Sequence, residues 1–486
     1  MFHRLPFVLS LGKAITVPGS LADGFDLGLR GGQKVQSERV DSSQAENPIQ
    51  DFACDPEAIG FNSEQMKIQS AKEAISKIQS HQRVFIQGAA ATPGTLIDEL
   101  VLQADRLSDV EITHLHTFGP AKYAEPRFQK NFRVSAFFVG QNMRSKFRPG
   151  QVDYIPCFLS EIPALLRSGR YPIDVAMIHV SPPDANGFCS LGTSVDITLA
   201  ALDSAPLIIA QINPKMPRVH GDGFIHRDRI HFAVEVDAEL PESKPSQASE
   251  EEKSIARLTA NLIEDGSTLQ MGIGSIPDAV LGALKDRRHL GIHTEMWTNG
   301  ALELMRLGVV DNSRKKIHPG KTVAGFMMGS KDLYRFVDDN PMTVCLDIAY
   351  VNNPVNIARN PKVVAINSAV EIDLTGQVCA DSIGHKIISG AGGQMDFIRG
   401  ASLSPGGKPI IALTSRTRHG TARIVPTLQA GAGVVTTRAH VHHVITEYGA
   451  VDLYGKTLEQ RAKALIGISH PDDREMLARS WHQLFH

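Results

Sequence analysis

Short apolar runs punctuate the chain: VAMIHV (175–180), PLIIAQI (206–212), TVAGFMM (322–328), VVAIN (363–367), PIIAL (409–413) and VVTT (434–437). Few of them alternate apolar with polar positions, the pattern of strands buried on both faces in mostly parallel sheets. Helical stretches lie between several of the runs, so the chain predicts an α/β architecture.

Two longer segments share one pattern. In the first, Ile68, Ala71, Ile75 and Ile78 form an amphipathic helical stripe, followed by the strand RVFIQ, a small-residue loop, Pro93 and a second helix. In the second, Ile255, Leu258 and Leu262 form the stripe, followed by TLQM, the loop around Gly272 and Gly274, Pro277 and a helix from about that proline. Proline suits a first helical turn, where its missing N–H has no partner to lose. The repeat predicts two tandem, similar open-sheet domains. Composition sets their limits: a leader over residues 1–55, an N-terminal domain over 56–241, a Pro/Ser/Glu-rich linker over 242–254 and a C-terminal domain over 255–486.

A length of 486 residues is too great for one ordinary core, and 42% hydrophobic with 21% charged residues is a globular balance. A formal charge of -2 gives no long-range attraction to nucleic acid or to an anionic membrane. The five cysteines, Cys54, Cys157, Cys189, Cys345 and Cys379, lack CxxC spacing and read as reduced thiols of an intracellular protein. No apolar run reaches the roughly 18 residues of a bilayer span, so a soluble protein is expected. The leader reads equally as a disordered extension or a transit segment, which leaves a mitochondrial or a cytoplasmic location open.

Candidate chemistry sits at loops. The stretch QMGIGSIPDAV puts Gly272 and Gly274 between a strand and a helix, where backbone N–H groups could hold a phosphate; a tight turn is the plain alternative. The dinucleotide fingerprint fails there, because its third glycine position is Pro277. In SPGGKPIIAL a strand, not a helix, follows Lys408, so a hairpin-like turn is expected, with Lys408 left as a point charge for a phosphate. Gly390, Gly392 and Gly393 form either a surface turn or a nest of N–H donors for an oxyanion. His440, His442 and His443 have no acidic or cysteine partner at ligand spacing, and no metal site is expected. The run Arg314-Lys315-Lys316 reads as a solvated face. Glu295, beside Met296 and Trp297, and Glu447 are carboxylates at the ends of apolar runs, where a charge must be paired, protonated or chemically employed. GxSxG, HExxH and kinase motifs are missing. What remains is a group-transfer enzyme with a carboxylate nucleophile and a phosphate-bearing ligand.

The ordered motifs GxGxIPxAV (272–280), LGIHTEM (290–296), AINSAVEIDLTGQVCADS (365–382), SGAGGQMDF (389–397) and VITEYGAVDLYGKT (444–457) carry a resemblance. SPPDANGFCSLG (181–192) and NPKMPRVHGDGFIH (213–226) add to it upstream. From about residue 63 to 478 the chain resembles the acetyl-CoA hydrolase and 4-hydroxybutyrate CoA-transferase family, enzymes that form a glutamyl-CoA thioester. The resemblance implies tandem CoA-transferase folds (NagB/RpiA-like), a homodimer, and coenzyme A as a substrate with no permanently bound cofactor. It implies Glu295 as nucleophile, Gly272, Ile273, Gly274, Ser275 and Ile276 as the CoA loop, and Gly393, with Gly392, as a CoA or oxyanion contact. Val370 is expected near CoA, and Asn353 and Glu447 as polar partners in the site.

Three readings compete with transfer of CoA to a small carboxylate. Water reaching the intermediate would make a hydrolase of the same site. A nucleotide-binding oxidoreductase needs an acid roughly 20 positions after its glycines, a spacing Glu295 meets from Gly274. A non-catalytic CoA-binding protein is the third. Acetate, succinate, butyrate and 4-hydroxybutyrate all remain open as acids, with pocket walls expected from 87–95 and 141–144.

Overall fold

Parallel pairing organises the chain in a computed structural model, which describes residues 66–485 apart from 244–246 and 273. The first sheet runs, from edge to edge, Lys67–Ile68, Phe232–Glu235, Leu207–Ile212, Val175–Val180, Arg83–Ile86, Val110–His114, Phe132–Ala136 and Val152–Tyr154, every neighbouring pair parallel. The second runs Gly449–Asp452, His443–Thr446, Lys408–Ala412, Val363–Ser368, Thr268–Met271, Gly291–Trp297, Thr322–Met327, Thr343–Cys345 and His220–Gly221. Only its pair of last strands in sequence, His443–Thr446 with Gly449–Asp452, is antiparallel. Val175–Val180 and Thr322–Met327 are buried at every position, which explains their unalternated sequences.

The expected tandem repeat is present. Helix, strand, loop and helix follow one another as Ala71–Ile75, Arg83–Ile86 and Gly94–Leu102, and again as Glu250–Ala260, Thr268–Met271 and Ser275–Gly282. Three details differ from the pattern. Ile68 lies in an edge strand and is exposed, so the first helix is shorter than its stripe. The helix after Gly274 begins at Ser275, because Gly274 takes φ +121 as its N-cap and the chain turns before Pro277 is reached. The VVTT run forms no strand; Thr436 makes one isolated bridge to Val378.

The division at residue 241 does not separate the halves in space. His220–Gly221 leaves the first half to pair with Val344 and Cys345 at the edge of the second sheet. A β-carbon on Gly221 would lie 2.1 Å from the Cys345 carbonyl oxygen, so only glycine permits that pairing. The linker is likewise docked: Ser243 N–H donates to the Gly329 carbonyl, and Tyr334 OH donates to that of Pro241. Its end is already helical, with Ser249 and Glu252 closing a capping box at Glu250. One apolar core includes Phe137 and Ile178 of the first half with Ile292, Trp297 and Phe397 of the second. The described residues thus form one compact unit.

Lys315 departs most from its sequence reading. It is buried, not solvated, and its ammonium donates to the carbonyls of Ile292 (2.8 Å) and Lys321 (2.6 Å). Desolvation pulls its pKa down to about 7. Among the described residues Cys157, Cys189, Cys345 and Cys379 are free thiols, and no helix is long and apolar enough to cross a membrane. Cys54 and the leader lie outside the described residues.

Ile292 is fully buried on the strand that carries Glu295. Ile292→Ala is expected to cost about 2–5 kcal/mol through lost burial and a residual cavity. Chemical unfolding of the purified variant should show this as a clearly lower midpoint.

Candidate active site

The C-terminal ends of parallel strands from both sheets open into one cavity of about 750 Å³. Residues 115–119 follow Val110–His114, and Phe138, Gly140, Gln141, Asn142 and Arg144 follow Phe132–Ala136, in the first sheet; 271–272 and 367–370 lie at the ends of strands of the second. Ligands in open α/β sheets bind at such ends, where loops and unsatisfied backbone groups converge.

Glu295 reaches this cavity from the strand Gly291–Trp297, partly open to the cavity but deep below the outer surface. Desolvation pushes its pKa up to about 7, assisted by the negative charges of Asp396 and Asp196. Opposing this, the Asn352 side-chain amide and the Gly393 N–H hydrogen-bond the carboxylate. Asn352 Nδ2 lies 3.1 Å from Glu295 Oε2 and 3.2 Å from Asp396 Oδ2, so one amide serves two acids. Asp396 is itself raised to about 6, chiefly by burial. It also accepts from the Ser160 N–H (3.1 Å) and the Ser160 hydroxyl (2.8 Å) of the first half.

The glycine stretch is not a free surface turn. Ser389 O accepts from Val139 N–H, Gly392 O accepts from Leu159 N–H, both at 3.0 Å, and Ala391 N–H donates to Tyr154 OH at 2.8 Å. These contacts from the first half hold Gly392, at φ +55, and Gly393 against the start of the helix Gln394–Leu403. The positive end of that helix dipole therefore meets Glu295. A β-carbon on Gly393 would fall 1.9 Å from Glu295 Oε2 and 2.2 Å from Asn352 Nδ2, so any side chain there would push the carboxylate or the amide out of place.

Gly272 and Val370 line the same cavity. Gly274 caps the following helix, Ser275 gives its hydroxyl to Glu252, and Ile276 is buried. Ser275 and Ile276 thus direct their side chains to the protein, and Ile273 lies outside the described residues. Three expected site residues are placed elsewhere. Asn353 accepts from Val355 N–H as the N-cap of Pro354–Ala358, so its side chain is occupied by that helix. Glu447 accepts from the backbone N–H and hydroxyl of Ser415 and is not part of the cavity wall. Lys408 begins its strand, at the opposite end from the cavity, and binds Glu264 and the Leu262 carbonyl, each at 2.7 Å. That ion pair replaces the phosphate contact expected of it.

Asn352, Asp396 and Ser160 had no place in the sequence reading. The first was legible: Pro354 at the first helical position makes Asn353 the cap, which frees the preceding residue to face Glu295. The Asp396–Ser160 contact joins positions too far apart in sequence to be read from spacing.

The remaining wall is mainly apolar. His116 packs against Phe138 and Phe326, with ring centroids 5.9 and 5.6 Å away, and its Nε2 lies 3.4 Å from Met328 Sδ. Burial pulls its pKa down to about 4, so the ring is neutral at physiological pH. Arg144, whose Nε donates to the Ile388 carbonyl, adds a cation to the lining. No group of three or more His, Cys, Asp or Glu suited to a metal ion occurs among the described residues.

Fold and site together define an α/β group-transfer enzyme with a desolvated carboxylate at its centre. Family models for the acetyl-CoA hydrolase/transferase N-terminal and C-terminal domains match residues 62–242 and 329–481. The chain is 48% identical to a 4-hydroxybutyrate coenzyme A transferase of Clostridium kluyveri, over 86% of this chain and 98% of that protein. It is 49% identical to a succinyl-CoA:acetate/propanoyl-CoA:succinate CoA transferase of Fasciola hepatica, over 84% of this chain and 86% of that protein. Among solved structures, RipA from Yersinia pestis superposes with a TM-score of 0.82 at 35% identity, covering 86% of this chain and 97% of that one. The chain belongs to the acetyl-CoA hydrolase/transferase family and is an enzyme of its CoA-transferase class.

Gly393→Ala should lower turnover by about a hundredfold or more, since the methyl group displaces either the carboxylate or the amide that orients it. Steady-state rates, with circular dichroism to confirm a retained fold, would check this.

Proposed function

We propose that this enzyme moves CoA from an acyl-CoA to a small carboxylic acid through a thioester on Glu295. The observation that carries the reading is the desolvated Glu295 carboxylate at the centre of the cavity, held by Asn352 and faced by the Gly393 N–H. Ionised Glu295 attacks the thioester carbonyl, and its oxygen forms the new C–O bond while backbone N–H groups of the Gly392–Gly393 turn receive the developing oxyanion. The carbonyl re-forms as CoA thiolate departs, leaving an acyl-glutamyl anhydride. That thiolate then attacks the glutamyl carbonyl and expels the acyl group as a free carboxylate, so Glu295 becomes the CoA thioester. An incoming acid reverses both steps. No net proton is consumed, and one thioester replaces another, so the exchange is close to isoenergetic.

Gly272 and Val370 would face the CoA arm, and the backbone of Gly274, Ser275 and Ile276 would continue that contact. Burial serves the chemistry by raising the basicity of the carboxylate and by excluding water from anhydride and thioester. Water admitted to either intermediate would produce an acetyl-CoA hydrolase, the second activity in the family's description. Small acids of the acetate, succinate, butyrate and 4-hydroxybutyrate class are the proposed acceptors, and a homodimer is the proposed assembly.

Intact mass after mixing with acetyl-CoA should reveal a CoA adduct that maps to Glu295, disappears on adding acetate and is missing from Glu295→Gln. A stable adduct in that variant, or turnover by it at the wild-type rate, would remove Glu295 as nucleophile. A second expectation concerns pH. The reacting form is the carboxylate, whose pKa is raised, so activity is lost as pH falls through about 7. kcat/KM should decline by about tenfold per pH unit on that acid limb. A flat profile across this range would contradict the role given to the raised pKa.

A further inference from the structure

We infer that Asp396 is a positioning residue for the transfer reaction, which, anchored by Ser160 of the first half, holds the Asn352 amide as a donor toward Glu295. The inference rests on the reading of Glu295 as nucleophile and extends it to a group that does not itself reach the reacting atoms.

Asn352 is fully buried, and its Nδ2 points between two carboxylate oxygens, Glu295 Oε2 at 3.1 Å and Asp396 Oδ2 at 3.2 Å. Its Oδ1 is buried and accepts no hydrogen bond from the described residues. Against Glu295 alone, turning the amide over would already cost one charge-assisted hydrogen bond. With Asp396 on the other side, turning it over would set Oδ1 against two anionic oxygens and leave both acids without their donor. Asp396 therefore reinforces the orientation in which Asn352 donates to Glu295. Asp396 in turn is fixed by the two Ser160 donors, which come from the turn before the helix Ile162–Arg167. Docking of the two halves thereby sets the geometry of the nucleophile.

Charge acts in the same place. Glu295 is faced by Asp396 from its helix and by Asp196 from the first half. Asp396 is faced by Glu161, and its own charge bears on Cys157. On the strand of Glu295, His293 is buried and pulled down to about 3, hence neutral, and Lys315 spends its ammonium on the Ile292 and Lys321 carbonyls. The negative charge of Asp396 thus keeps the Glu295 carboxylate basic, while the amide it orients keeps that carboxylate aimed.

The test is the rate of CoA-adduct formation on Glu295, measured from acetyl-CoA across pH for the wild type, Asp396→Asn, Asp396→Glu and Ser160→Ala. Asp396→Asn should slow adduct formation about ten- to a hundredfold, the scale of one charge-assisted hydrogen bond, and should move the acid limb to lower pH. Asp396→Glu should return the limb toward its wild-type position. Ser160→Ala, which keeps the backbone donor, should slow the adduct several-fold while the melting temperature falls only slightly. Asp396→Asn with wild-type rate and limb would overturn the assignment, and so would a lower rate accompanied only by a lower melting temperature with the limb unmoved. If Asp396→Asn fails to fold, an unchanged adduct rate in Ser160→Ala overturns it. A wild-type protein that forms no adduct would overturn the covalent reading and this assignment with it. That failure is distinct from an adduct whose rate ignores Asp396.

Discussion

A carboxylate kept out of water is the constraint to which much of the site answers. Left alone, Glu295 would take up a proton and lose its nucleophilic oxygen; bound by a cation, it would be stable and inert. The protein stops between the two, with the carboxyl pushed up to about 7 and no cationic side chain among the described residues bound to it. It supplies partial charges instead: one side-chain amide, one backbone N–H and the positive end of the helix Gln394–Leu403. These are strong enough to hold the anion and weak enough to release it to a carbonyl carbon. Two further acids, Asp396 and Asp196, push in the other direction and keep it from becoming comfortable.

Such a balance requires fixed geometry, and the fixing is done across the two halves. The glycine turn is clamped by Val139 and Leu159 from the first half's loops and by Tyr154 at the end of a first-sheet strand, although the turn belongs to the second half. Asp396 is clamped by Ser160 from the same region. One apolar core runs beneath both sheets, so the cavity walls cannot slide past each other without opening that core. Rigidity at the site is thus a property of the interface, and neither repeat would possess it alone.

Much of this was legible in the chain because it is written locally. Unalternated apolar runs gave parallel strands, and the repeated helix, strand, loop and proline pattern gave the tandem architecture. Glu295 stood out because an acid inside an apolar run has a cost that must be explained. Other placements depend on contacts that only the fold makes. Lys408 and Glu447 sat in suggestive stretches, but their partners, Glu264 and Ser415, are brought close only by the fold. Lys315 looked solvated because a charged run says nothing about two carbonyls waiting beneath it. Asn353 caps the helix Pro354–Ala358, while its neighbour Asn352 donates the hydrogen bond to Glu295.

The short strand His220–Gly221 bears on how the molecule is made. It is synthesised well before Thr343–Cys345, its neighbour in the sheet among the described residues. The first half therefore cannot finish folding as an isolated body, and the second cannot close its sheet edge without it. Two repeats that look separable on paper thus share a sheet edge and a core. A cell carrying a chain cut at the linker would hold two incomplete surfaces, each bearing a strand edge open to the wrong partner.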